Sequence, residues 1–190
     1  MSESERGEEP PQAVILDYLP RGRADDDRPQ YKKSPVAYAL DEETFALYEV
    51  SLDSDADVAI DDRLDLKAGV EGIGRVREIG YDDISGGAQA ELEYVVREIV
   101  ERDEGRFVDF YNDAQPITLR LHQLNLLPGI GKKLRNNIID QRKRGPFESF
   151  EELEERVAGL HNPQEILVER IIEELRDDEL KYRTFVRTGS

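Results

Sequence analysis

The stretch Leu126-Leu127-Pro128-Gly129-Ile130-Gly131-Lys132-Lys133 has the residue types and spacing of a phosphate site. Two glycines let backbone N–H groups approach a ligand with no Cβ in the way, and the first N–H groups of a helix have no intrahelical acceptor. The spacing predicts one helix turning sharply at Pro128 into a second that opens at Lys132. Lys132 and Lys133 then stand where the helix macrodipole is already positive, which costs about 0.3–1 kcal/mol per charge until an anion arrives. Pro128 is expected to fix the turn and Ile130 to plug it into the core. The amides at Gly129 and Gly131 carry the primary grip, and Lys132 and Lys133 a secondary one, with Arg135 counted beside them.

A mononucleotide loop would need a glycine five residues before the Gly-Lys pair and a hydroxyl after it. Leu126 and Lys133 stand in those places, so ATP or GTP binding by this route is not expected. Local charge points to a longer polyanion. Residues 117–147 hold Arg120, Lys132, Lys133, Arg135, Arg142, Lys143 and Arg144 against Asp140 alone, in a chain whose net charge is −17. A basic island on an acidic surface is the footprint of a polyanion partner.

The elements that must position this site follow from pattern. Residues 1–12 are acidic, carry Pro10-Pro11 and have little to bury, so a disordered tail is expected there. Short apolar runs at 13–19, 35–40, 44–52, 58–66 and 75–81, separated by Pro, Gly and Asp, predict the strands of a small barrel. The loop 20–34 between the first two strands offers Arg21, Arg23, Arg28, Lys32 and Lys33 against Asp25, Asp26 and Asp27. Arg21, Arg23, Lys32 and Lys33 are candidate contacts, since barrel loops often form the binding face. Ser85 is placed to cap a helix whose Leu92, Val95, Val96, Ile99 and Val100 share one face. Residues 105–112 predict an aromatic strand or extended linker into a helical part.

Beyond the hairpin, Ser149 and Glu152 form a capping box for a third helix, and Asn162, Pro163 and Glu165 open a fourth. Between them Val157-Ala158-Gly159-Leu160 is a worn second hairpin with one glycine and no lysine. Residues 181–187 alternate as a terminal strand. The expected architecture is α+β: a tail at 1–12, an OB-like barrel domain at 13–112, a helical hairpin domain at 113–180, and a C-terminal strand and tail at 181–190.

Composition narrows the function classes. Cysteine is absent, which removes disulfides, thiolate zinc sites and cysteine nucleophiles. No run of about 18 apolar residues and no signal-peptide pattern is present, so a soluble, cytoplasmic protein without a membrane partner is expected. Acidic residues outnumber basic ones 43 to 26, a pattern that resembles proteins of salt-loving organisms. His122 and His161 are assigned to different helices without ligand partners at metal spacing. Asp61, Asp62 and Asp65 are the cluster that a metal-dependent nuclease would use. The expectation is a non-catalytic protein with no cofactor and no metal; the rivals are a protein-interaction adaptor and, behind it, that nuclease.

The hairpin residues Leu127-Pro128-Gly129-Ile130-Gly131, followed by the stripe Leu134, Ile138, Ile139 and the stop Gly145-Pro146-Phe147, resemble the helix-hairpin-helix motif, which grips a nucleic-acid backbone without reading sequence. An OB-like barrel, then Phe110-Tyr111-Asn112-Asp113-Ala114-Gln115-Pro116-Ile117, then the hairpin, resembles the archaeal family of unknown function 655. The resemblance covers residues 13–187 and is most specific over 107–133 and 181–187. It implies nucleic-acid binding, RNA before DNA, and partners in a translation or RNA-processing complex. It supplies no catalytic residues.

Overall fold

The computed structural model describes residues 12–68 and 71–189. The acidic tail expected at 1–12 therefore lies outside the described residues except for Gln12. The architecture is mixed α/β, with the strands first and the helices after them. A curled, five-stranded antiparallel half-barrel sheet has the order β4-β1-β2-β3-β5, built from β1 (Ala13–Leu19), β2 (Val36–Asp41), β3 (Leu47–Leu52), β4 (Arg63–Leu64) and β5 (Ile73–Ile79).

The curl has a local cause. Register shifts between Ile15 and Asp17 in β1 and between Val50 and Leu52 in β3 are irregularities of the kind that bend a strand and increase its twist. One face buries Ala13, Ile15, Ala37, Ala39, Val50 and Leu52, where three alanines leave room for the bend. The run predicted at 58–66 shrinks to two paired residues. Its acidic stretch spends its carboxylates on turns instead: Asp62 accepts from the Ala59 amide, and Asp65 from those of Lys67 and Ala68.

The chain divides into two compact units, one of the described residues up to Glu91 with Arg187 to Gly189, the other Leu92–Val186. The division falls inside α1 (Gly86–Arg102). Ser85 caps that helix, its Oγ accepting from the Ala88 amide at 3.1 Å while donating to Asp17 at 2.6 Å. Residues 105–112 are not extended. They lie in α2 (Glu104–Asp113), because Phe107, Val108 and Tyr111 recur at helical spacing and are all buried, and Tyr111 donates its hydroxyl to the Pro163 carbonyl at 2.6 Å. Three further helices complete the second unit: α3 (Lys132–Arg142), α4 (Phe150–Arg156) and α5 (Pro163–Arg176). Ser149 caps α4 through the Glu152 amide, but the Glu152 carboxylate reaches Glu148 and not Ser149, so the box is half closed.

The C-terminal strand expected at 181–187 does not form. Its amides are taken by a side chain: Glu174 of α5 accepts through Oε1 from Thr184, Phe185 and Val186 at 2.8, 2.9 and 3.1 Å, while its Oε2 takes Arg170 Nε at 3.0 Å. Arg170 also donates to the Tyr182 carbonyl at 2.6 Å. The Glu174 side chain is wholly buried, and Phe185 packs on Phe107 and Phe110. Removing one partner of such a pair strands the other without water. Glu174→Ala should therefore cost about 3–5 kcal/mol and release residues 182–186 to rapid amide exchange, whereas Glu174→Gln, which keeps an acceptor, should lose less. Thermal melts and hydrogen exchange check both.

Candidate functional site

The corner between α2 and α3 is built from the backbone outward. Only a four-residue 3-10 turn, Gln123–Leu126, precedes it, where an α-helix was expected; the stretch before the turn is closed into an arch by a bridge between Pro116 and His122. His122 caps the turn, Nδ1 accepting from the Leu124 amide at 3.0 Å, so it is not a helical residue. Leu124 and Leu127 are buried and anchor the entry. Gly129 then takes φ +80°, a left-handed conformation that costs an L residue about 1–2 kcal/mol. The Ile130 amide closes the turn onto the Leu127 carbonyl at 3.2 Å, and the Ile130 side chain, 4% exposed, is the plug that the sequence predicts.

What this leaves facing solvent is a set of donors. Among the described residues the amides of Gly131, Lys132, Lys133 and Leu134 make no hydrogen bond, as the start of a helix requires, and neither does that of Gly129 in the turn. Gly129, Gly131, Lys132 and Lys133 are all exposed, and a Cβ on either glycine would meet nothing within 4 Å. Gly131, at φ −89° and ψ −170°, has an extended backbone that any residue adopts. Neither conformation nor packing demands a glycine there; access to the amides is what it provides.

The basic residues divide by what they touch. Arg120, Lys132, Lys133, Lys143 and Arg144 are exposed and their side chains have no partner among the described residues. Arg135 braces the corner instead: Nη1 donates to Asn125 Oδ1 at 3.1 Å, and Asn125 passes the contact to the Ile130 carbonyl at 3.2 Å. Arg142, partly buried and with its pKa lowered by desolvation, donates to the Tyr111 carbonyl at 3.2 Å. These two shape the site more than they present charge.

The other candidates, Arg21, Arg23, Lys32 and Lys33, belong to the sheet unit. Arg21 and Lys32 are exposed, Lys33 is half-buried, and Arg23 is engaged by Asp25 and Glu49. Arg23 lines a cleft of about 470 Å³ with Arg28, Arg75 and Arg77, but Asp25, Asp26 and Glu49 line it too and pair with Arg23, Arg28 and Arg77. Hydrogen bonding to Arg28 holds Asp26 down to about 2. Sequence reasoning missed Arg75 and Arg77, whose two-residue spacing along β5 puts both on one face. The acidic trio does not assemble: no group of described His, Cys, Asp or Glu residues is arranged to hold a metal ion.

The second corner repeats the first thirty residues on. Gly159 has φ +87°, the Leu160 amide bonds the Val157 carbonyl at 3.2 Å, and Leu160 is a buried plug. The outcome differs. The Asn162 amide is taken by Glu154, Asn162 is itself left-handed at φ +49°, and Pro163 at the helix start has no N–H to give. His161 is an exposed loop residue before α5, not a helical one.

Burial lowers the pKa of His122, with Arg142 and Arg135 adding to the effect, so the ring is held neutral with Nδ1 as an acceptor. A histidine whose folded pKa lies below its ordinary 6.5 binds fewer protons folded than unfolded. Its contribution to stability is complete above 6.5 and drains away as pH falls through the folded value. The second unit should lose stability on acidification before most carboxylates titrate. His122→Asn, which retains a side-chain acceptor but no titrating group, should flatten that part of the profile in melts taken across pH.

A family model described as "Protein of unknown function (DUF655)" matches residues 9–187. The chain is 41% identical over 178 residues to the uncharacterized protein MJ0038 of Methanocaldococcus jannaschii, covering 92% of this chain and 79% of that one. It is also similar to the crystal structure of Af1531 from Archaeoglobus fulgidus, with a TM-score of 0.84, 39% identity, and 93% of this chain and 99% of that chain covered. With residues 9–187 of 190 inside the match, the chain belongs to the DUF655 family.

Proposed function

We propose that this protein is a non-catalytic nucleic-acid-binding protein, acting on RNA before DNA, that holds a sugar-phosphate strand at the Gly129–Gly131 corner. In this reading the corner is a helix-hairpin-helix and the curled sheet is an OB-like half-barrel. One observation carries it: five unshared amides and two unpaired lysines lie within the six residues 129–134, and a Cβ at either glycine would meet nothing within 4 Å. A phosphate oxygen accepts from such amides, and the positive end of α3 favours its charge. The worn corner lacks both lysines and the two amides beside them, and in this reading remains structural. The arginine cleft on the sheet is a second contact to be tested separately.

Base edges play no part in this grip, so sequence preference is expected to be weak. RNA is favoured because half-barrels of this kind suit single strands with exposed bases. The partner proteins of a translation or RNA-processing complex would then meet this protein on its RNA.

Gly131→Val tests the corner, since its backbone tolerates the change and its Cβ enters open space. It should cost about 1 kcal/mol or less in melting while abolishing RNA binding measured by fluorescence anisotropy. Gly129→Val is the contrasting variant and should destabilise the fold itself. Normal binding by Gly131→Val would reduce the corner to a turn. Separately, Lys132→Gln with Lys133→Gln should lower the slope of log affinity against log salt by about 1.4 for single strands, two phosphate contacts' worth. An unchanged slope would remove both lysines from the interface.

A further inference from the structure

The arch at residues 115–123, just before the corner, exposes Leu119 completely, at 108% relative exposure. A single exposed leucine on a soft loop needs no explanation. This one is held out. The Ile117 and Thr118 amides both donate to the Leu121 carbonyl, at 2.8 and 3.0 Å, and the Thr118 hydroxyl accepts from the Arg120 and Leu121 amides at 3.3 and 3.0 Å. At the foot, Gln123 donates its amide to the Gln115 carbonyl at 3.0 Å and accepts the Gln115 amide on Oε1 at 2.7 Å. The tip has few ways to fold its leucine away.

The foot of the arch is tied to the corner. The His122 amide donates to Asn125 Oδ1 at 3.3 Å, and the same Asn125 holds the Ile130 carbonyl and takes Arg135. Charge joins them too. Residues 114–139, which include arch, corner and most of α3, contain no Asp or Glu in a chain that has 43. Arg120 stands beside Leu119 with its guanidinium unpaired. An apolar tip flanked by a free cation, on a stretch cleared of carboxylates, is complementary to a base face next to its phosphate. A hydrophobic protein partner would give no reason to exclude negative charge over so long a stretch.

We infer that the arch is a wedge: Leu119 lies against an unstacked nucleobase of the strand whose backbone the corner holds, with Arg120 on the adjoining phosphate. This rests on the nucleic-acid reading above and narrows its ligand to RNA with an open base step, such as a loop, bulge or junction, where no stacking has to be broken to admit the side chain.

The chain has no tryptophan, so Leu119→Trp in the full protein is a reporter of this position alone. It is titrated with a stem–loop RNA carrying an adenine-rich loop and with the same stem as a fully paired duplex. The wedge requires at least twofold quenching of tryptophan emission by the stem–loop and little by the duplex. Leu119→Ser, which should melt like the parent, should bind the stem–loop about tenfold more weakly. Wild-type affinity in Leu119→Ser, or equal quenching by duplex and stem–loop, overturns the wedge while leaving the corner intact if Gly131→Val still abolishes binding. Failure of the parent protein to bind either RNA overturns the nucleic-acid reading, and the wedge with it.

Discussion

A helix cannot satisfy its own first donors, and how the chain enters α3 decides whether those donors are spent or kept. Entry is by a left-handed glycine and a buried plug: Gly129 at φ +80° reverses the chain, and Ile130 locks the reversal by burial and by its bond to Leu127. Because the locking is done by side chains and by the Ile130 amide, nothing is asked of the amides that follow. Water satisfies those amides at no structural cost, and a phosphate can replace that water. The second corner shows that the turn alone does not make a site. With the same left-handed glycine and the same plug, it continues into Asn162 and Pro163: at the positions of Lys132 and Lys133 one amide is bonded to Glu154 and the other is absent, and no lysine stands there.

Much of the fold was legible where one signal dominated. Strand β1 is bounded as its apolar run predicts, and Ser85 caps α1 because a hydroxyl just before a helix can accept from one of its first amides, here that of Ala88. Residues 105–112 misled because Phe107, Val108, Phe110 and Tyr111 have strand propensity, while their burial in α2 depends on Phe185 and Pro163 from far along the chain. The terminal segment misled differently. Its alternation is real, but Glu174 supplies the acceptors that a neighbouring strand would have given. Nothing marks Glu174 among 43 acidic residues; only burial distinguishes it.

The candidate site was legible in its glycines and less so in its charges. Gly129 and Gly131 differ in what they do: Gly129 supplies a left-handed conformation, and Gly131 leaves the neighbouring amides uncovered. Proximity in sequence counted Arg135 and Arg142 with the lysines, although both donate to the protein's own oxygens. The β5 arginines of the sheet cleft escaped notice because they become neighbours of Arg23 only through strand pairing.

The division of labour at the corner bears on how such a site works on an acidic protein. Lysine–phosphate attraction weakens steeply with ionic strength, and at about 1 M salt the Debye length is only about 3 Å. Contacts within that distance are spared most. Amides at a Cβ-free corner reach a phosphate oxygen directly, and an apolar side chain on a base is not screened at all. Salts that strengthen apolar burial would favour the second contact further. The proposed grip of main-chain donors and an outward leucine would therefore tolerate both a net charge of −17 and a concentrated medium, whereas one made from lysines alone would be weakened by the first and screened by the second. In the proposed grip the two lysines would supplement a site whose main elements are the backbone and a hydrocarbon tip.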